Sequence, residues 1–201
     1  MFFQVIMNNL MSLIIPLFLF SGFVVVIIGG AIYLKREGMV KKSILFVIIG
    51  AVEVIYPLIA TRIYYLVAEI IGFGYDQYYF IVYTIPIIIS INTFGILIIV
   101  LGKLNSENSG IFLLISGIFW TIYAAMTLIL NLRTFVPFPI LDFVIWTTLS
   151  LVSFAFMITA RILFVIYSVK IGEKVFLVSS IFLLISSATS ITLSMFVTFL
   201  P

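Results

Sequence analysis

The sequence predicts an all-α polytopic membrane protein: a single transmembrane domain over residues 1–201, with six transmembrane helices in one bundle and both termini external. Three observations carry this. The chain is 65% apolar and only 8% charged, with a mean hydropathy of +1.42, whereas a soluble domain needs about a quarter of its residues charged to cover its wet surface. Six apolar stretches each reach the ~20 residues that cross the hydrocarbon layer. Lysine and arginine gather in alternate connectors, as cytoplasmic loops require.

The first stretch runs from Leu10 to Leu34, after a start, Met1 to Asn9, that lacks the basic region of a signal peptide. It therefore reads as a retained helix. Pro16 predicts a kink in it, and Gly22, Gly29 and Gly30 supply a small face for close packing. The second covers Ser43 to Ile71 and the third Gln77 to Leu101, with Pro86 as a kink and Asn92 and Thr93 below it. The fourth covers Gly110 to Leu132, where Gly117, Ala124 and Ala125 offer a second small face. The fifth covers Pro139 to Val169 and the sixth Val175 to Leu200, the latter with Ser186, Ser187, Ser190 and Ser194 available to bond to neighbours. No connector is long enough to hold a soluble domain, so function must lie in the helices or on their rims.

Orientation follows from counting cations. The odd connectors carry seven (Lys35, Arg36, Lys41, Lys42, Lys103, Lys170 and Lys174), and the even connectors carry Arg133 alone. That bias places the odd loops in the cytoplasm of a multi-pass cell-membrane protein. Tyr64, Tyr65, Tyr75, Tyr78, Tyr79 and Tyr83 then crowd one external turn. Anchoring in the headgroup layer explains them, and an aromatic pocket for a quinone or lipid is the functional alternative.

Two internal repeats compete. In one, Ser43-Ile44-Leu45-Phe46, Ile111-Phe112-Leu113-Leu114 and Ile181-Phe182-Leu183-Leu184 mark three copies of a helical hairpin. In the other, the first three spans match the last three: Ser21-Gly22 pairs with Ser116-Gly117, and Ala60-Thr61-Arg62 with Thr159-Ala160-Arg161. Half-and-half repeats of three helices have opposite topologies. With 37 isoleucines in the chain, composition alone also generates such matches. The isoleucine content points to an AT-rich or thermophilic source, and the short-looped pattern to a prokaryotic one.

Ionisable groups at membrane depth are expensive and usually paired or functional. Glu53 lies ~15 Å and Arg161 ~13 Å from the cytoplasmic ends of their helices, at 1.5 Å per residue. Their signs oppose and their depths agree, which predicts a buried ion pair. Pro57, four residues after Glu53, removes the N–H that would bond the Glu53 carbonyl, so a proline kink is expected beside the acid. A second, external polar cluster joins Arg62, Glu69 and Asp142, with Arg62 paired to Asp142 or Glu69.

Several chemistries are excluded by residue type. With no cysteine and no histidine, the chain lacks thiolate and imidazole ligands and the usual general base. No metal site and no cofactor is expected, and the basic residues form no nucleic-acid-binding stripe. No Gly-x-Ser-x-Gly or phosphate loop is present, so the chain is not expected to be an enzyme. The leading expectation is a non-catalytic accessory or scaffold subunit, in contact with membrane lipid and other integral subunits of a larger membrane complex. The alternative is a small transporter or channel using Glu53 and Arg161 within the bundle.

Overall fold

In hydrocarbon, where no water can satisfy backbone donors and acceptors, an open chain must bond to itself as helix. The computed structural model describes the backbone of residues 2–72, 80–105, 109–132 and 143–199. These form six α-helices and one π-helical turn: α1 (Phe2–Arg36), α2 (Val40–Ile71), the π-turn (Phe80–Thr84), α3 (Ile85–Leu104), α4 (Gly110–Leu132), α5 (Phe143–Ile171) and α6 (Lys174–Phe199). There is no strand among the described residues.

Four segments are long and apolar enough to cross a membrane: Leu17–Arg36, Phe80–Leu104, Gly110–Leu132 and Ile145–Ile171. A fifth is added if the two arms of α2, Val40–Tyr56 and Ile59–Ile71, are one span bent by 41°. The remaining expected span falls on α6, whose apolar stretch among the described residues is the shorter Lys174–Ser186.

Helix ends follow local chemistry. At the end of α1, Gly38 N–H donates to the Lys35 carbonyl and Met39 N–H to that of Leu34. This paired closure needs a left-handed residue, and Gly38 supplies it with φ of 74°. Pro86 behaves differently from the kink expected of it. It lies in the first turn of α3, where its missing N–H has no intrahelical acceptor to lose. The irregularity sits just before it, as the π-turn.

Most of α2 is exposed, and the exposed residues are largely apolar, among them Ile44, Ile48, Val52, Ile55, Ile59, Ile63, Leu66 and Ile70. Such a surface suits lipid.

The chain divides into two compact units, Met1–Val47 with Phe164–Pro201, and Ile48–Leu163. In the first, α1 packs antiparallel on α6. Gly22 lies against Leu183, and Gly29 against Val175 and Phe176. Ser179 donates to the Gly22 carbonyl at 2.8 Å, a bond possible because glycine leaves the α1 backbone open. Phe164, Tyr167 and Phe176 form a buried aromatic core. Beside it, the hydroxyls of Ser168 and Ser180 bond at 2.7 Å. Arg36 pairs with Glu173, which brings the connector after α1 and the connector before α6 to the same end of this unit.

In the second unit α3 and α4 form an antiparallel hairpin along a glycine seam. A Cβ on Gly117 would stand 2.6 Å from the Gly95 carbonyl, and one on Gly102 would stand 2.7 Å from the Leu114 nitrogen. Each helix carries its two seam glycines seven residues apart, Gly95 and Gly102 on α3, Gly110 and Gly117 on α4. Two turns return a residue to nearly the same face, so the backbones touch along ~10 Å of rise. Above the seam Phe94 meets Trp120 edge-on at 5.4 Å. On its other side α4 packs on α5: Ser116 donates to the Ala160 carbonyl at 2.7 Å, and Phe119 meets Phe156 at 5.3 Å.

The most extensively packed helix pairs are α3 with α4 and α1 with α6.

Candidate functional site

The bend in α2 falls between Tyr56 and Ile59, where Pro57 denies the Glu53 carbonyl its N–H partner. Glu53, unlike most of α2, is buried, at 5% exposed. The hydroxyls of Ser90 and Thr93, one turn apart on α3, lie beside its carboxyl. Even so, Oε1 of Glu53 and Oγ of Ser90 are buried with no hydrogen bond of good geometry among the described residues. The site thus holds one carboxyl, two hydroxyls and unused bonding capacity. Such a buried oxygen costs roughly 1–3 kcal/mol, and more if charged.

On the α2 side the site continues through tyrosine. Tyr56 follows Glu53 by three residues, one turn along α2. The Tyr56 hydroxyl lies 3.3 Å from that of Tyr64, across the bend. A straight helix separates residues eight apart by ~12 Å of rise, so the two rings reach toward one another along the helix axis.

Arg161 is also buried, at 4% exposed, but its environment is aromatic. Its guanidinium carbon lies 5.2 Å from the centroid of the Trp120 ring, with Tyr123 nearby. The expected ion pair between Glu53 and Arg161 is not among the described contacts. What is described beside each differs: the Trp120 ring of α4 lies by Arg161, and hydroxyls of α3 lie by Glu53. Equal depth on two helices fixes a height, not a shared side.

The other expected sites are partly described. Arg62 and Glu69 are both exposed, and no ion pair joins them among the described residues. Seven residues put them two turns apart, ~10 Å along the axis. Asp142, Tyr75, Tyr78 and Tyr79, and the side chains of Pro57 and Tyr83, lie outside the described residues. Of the external aromatic cluster, Tyr65 is exposed and Tyr64 turns to Tyr56. Beyond the seam, where Ile88 and Ala124 replace glycines, α3 and α4 part to leave a groove of about 230 Å³ lined by Ile88, Ile89, Asn92, Ala124, Ala125 and Leu128.

Sequence reasoning overlooked Ser90, Tyr56, Trp120 and the α3 seam glycines. The seam had a usable signal, the seven-residue spacing of glycines on consecutive helices. Ser90 and Tyr56 had none, because one serine or tyrosine in an apolar helix has no distinguishing pattern. Compared with known proteins, the chain matches no family model, no curated protein and no solved structure.

Proposed function

We propose that this protein is a multi-pass carrier of the cell membrane, not an enzyme, in which the Glu53 carboxyl takes up and releases a positive charge within the bilayer. One observation carries this reading: Glu53 is buried with an oxygen that is unbonded among the described residues, and hydroxyls rather than a cation lie beside it. An acidic group at mid-depth costs roughly 2.5–3.5 kcal/mol on insertion scales. Packing alone does not call for it, since an apolar side chain of similar volume serves a helix interface as well or better. A group that alternates between charged and neutral does require a carboxyl. The bend beside it supplies a joint at which helix geometry and occupancy are coupled.

The accompanying topology is six spans, with odd loops in the cytoplasm and both termini outside. The seven-to-one cation bias supports it. So does the Arg36–Glu173 pair, which holds the first and fifth connectors at one end of the first unit. Reconstituted vesicles test the carrier reading. Wild-type protein should speed the decay of an imposed pH or sodium gradient over empty vesicles, and Glu53→Gln should abolish the gain. Wild-type vesicles as tight as empty ones would refute it.

The second reading, an accessory or scaffold subunit, is favoured by the exposed apolar surface of α2, which a neighbouring integral subunit would cover as well as lipid does. Reproducible co-purification of other subunits from native membranes, with no gradient decay, would favour it.

A further inference from the structure

We infer that the end of the first unit, where the connector after α1 meets the connector before α6, is a binding surface for net-anionic phospholipid headgroups. All eight charged side chains of this unit lie within residues 35–42 and 170–174, six cations against two carboxylates, a net charge of +4. Residues 48–163 hold four cations against five carboxylates, a net charge of −1. The basic excess of the whole chain, +3, therefore resides at one end of one unit. Topology requires cations on one side of the membrane, but it does not require two distant connectors to converge. Here they do. Arg36 pairs with Glu173, 137 positions away. Ser43 donates to the Ala31 carbonyl at 2.7 Å, which seats the start of α2 on α1. Gly29 lies against Val175 and Phe176, which seats the start of α6 on the same helix.

The charge of this surface is open to a ligand. Lys35, Lys41, Lys42 and Lys174 are exposed, and no ion pair joins any of them to a carboxylate among the described residues. Of the two acids, Glu173 is already engaged by Arg36. Both connectors turn at a glycine with positive φ, Gly38 at 74° and Gly172 at 69°, so the lysines sit on short, defined turns. Their level identifies the occupant. The apolar spans of α1 and α5 end at Arg36 and Ile171, so the cations begin where hydrocarbon gives way to headgroups. A lysine there is a point charge for a phosphodiester oxygen, and lysines at this level are drawn to anionic lipid. A choline headgroup carries its own cation, which competes for the same phosphate. A glycerol headgroup does not, so the surface selects phosphatidylglycerol-type lipid over phosphatidylcholine.

The experiment is electron spin resonance of the full-length protein in phosphatidylcholine bilayers with a trace of spin-labelled lipid in both leaflets. The readout is the fraction of label slowed by contact with the protein, compared for phosphatidylglycerol and phosphatidylcholine. Wild type should hold phosphatidylglycerol about fivefold more strongly at low salt, the scale of one lysine at an anionic surface. The preference should fade toward unity at about 1 M salt, where screening acts within ~3 Å. A variant combining Lys35→Gln, Lys41→Gln, Lys42→Gln and Lys174→Gln should show no preference, and arginine at the same four positions should keep it. Lys103→Gln, in the other unit, should match wild type. The total number of slowed lipids reports the lipid-facing perimeter, so an unchanged total certifies the fold of the glutamine variant. Should that variant misfold, the wild-type salt series decides. Equal retention of the two lipids by wild type overturns the inference, as does a preference that ignores salt or survives the four glutamine changes. A preference lost in phosphate buffer but kept in chloride of equal ionic strength would assign the surface to soluble phosphate and overturn it too.

Discussion

The glycine seam of the α3–α4 hairpin makes a graded prediction. In Gly117→Ala the new Cβ begins 2.6 Å from the Gly95 carbonyl oxygen and 2.7 Å from the Ile99 nitrogen. Both neighbours are backbone of α3 and cannot rotate away. Ordinary contact begins near 3.4 Å, so the helices must part by about 0.8 Å at that level. A gap of 0.5–1 Å forfeits about a quarter to a half of each contact energy, and the contacts at stake include the buried Phe94–Trp120 pair. Overpacking of this kind costs about 1–3 kcal/mol. Alanine returns up to about 1 kcal/mol through its better helix propensity. The net loss should be about 1–2 kcal/mol. Gly22→Ala is the milder comparison: its Cβ meets the Leu183 side chain, Cδ2 at 2.9 Å and Cγ at 3.0 Å, with the nearest backbone at 3.7 Å, so it should cost less than Gly117→Ala once propensity is included. Unfolding followed by tryptophan fluorescence in mixed detergent micelles would rank the variants, with Gly102→Ala close to Gly117→Ala. If Gly22→Ala proves the more damaging, or Gly117→Ala is neutral, the close backbone approach in the seam is refuted.

Three further outcomes are expected. Trp120→Phe should cost about 1 kcal/mol through the weaker π-face offered to Arg161, and Trp120→Ala about 3–5 kcal/mol through the cavity it leaves; equal costs in the same unfolding assay would contradict the stacking. Ser116→Ala removes a bond to the Ala160 carbonyl and should cost about 0.6 kcal/mol, the usual worth of a side-chain bond between membrane helices; a loss several times larger would mean that the hydroxyl has another role. The native chain has no cysteine, so Lys41→Cys and Lys174→Cys can be labelled without background in oriented vesicles. Both should react from the cytoplasmic side, and reaction from opposite sides would overturn the topology.

Most of the helical layout was legible because it is dictated by the solvent. The stretch from Gly110 to Leu132 coincides with α4, and the other boundaries fall within a few residues for α5 and α6. The signals there are turn glycines and the switch from apolar to charged residues. Burial of Glu53 and Arg161 was likewise legible from depth alone. Their neighbours were not, because depth constrains one coordinate and the rotation of each helix fixes the rest. That rotation is set by the seam glycines and by Trp120, whose effect depends on which helix lies opposite. Pro86 illustrates a related limit: the residue type announced an irregularity, but whether it bends a helix or starts one depends on the turn before it.

The serine that bridges α6 to the open backbone of α1 reaches across 157 positions of chain, whereas the α3–α4 hairpin closes within a few residues of its connector. Loop closure must precede the contacts that reward it, so the two units mature at different moments of synthesis. The hairpin can zip as soon as its second arm enters the bilayer. Until α6 is made, Gly22 and Gly29 lack the side chains they pack against in the folded unit. A chain arrested before α6 would therefore leave that face of α1 without its partner.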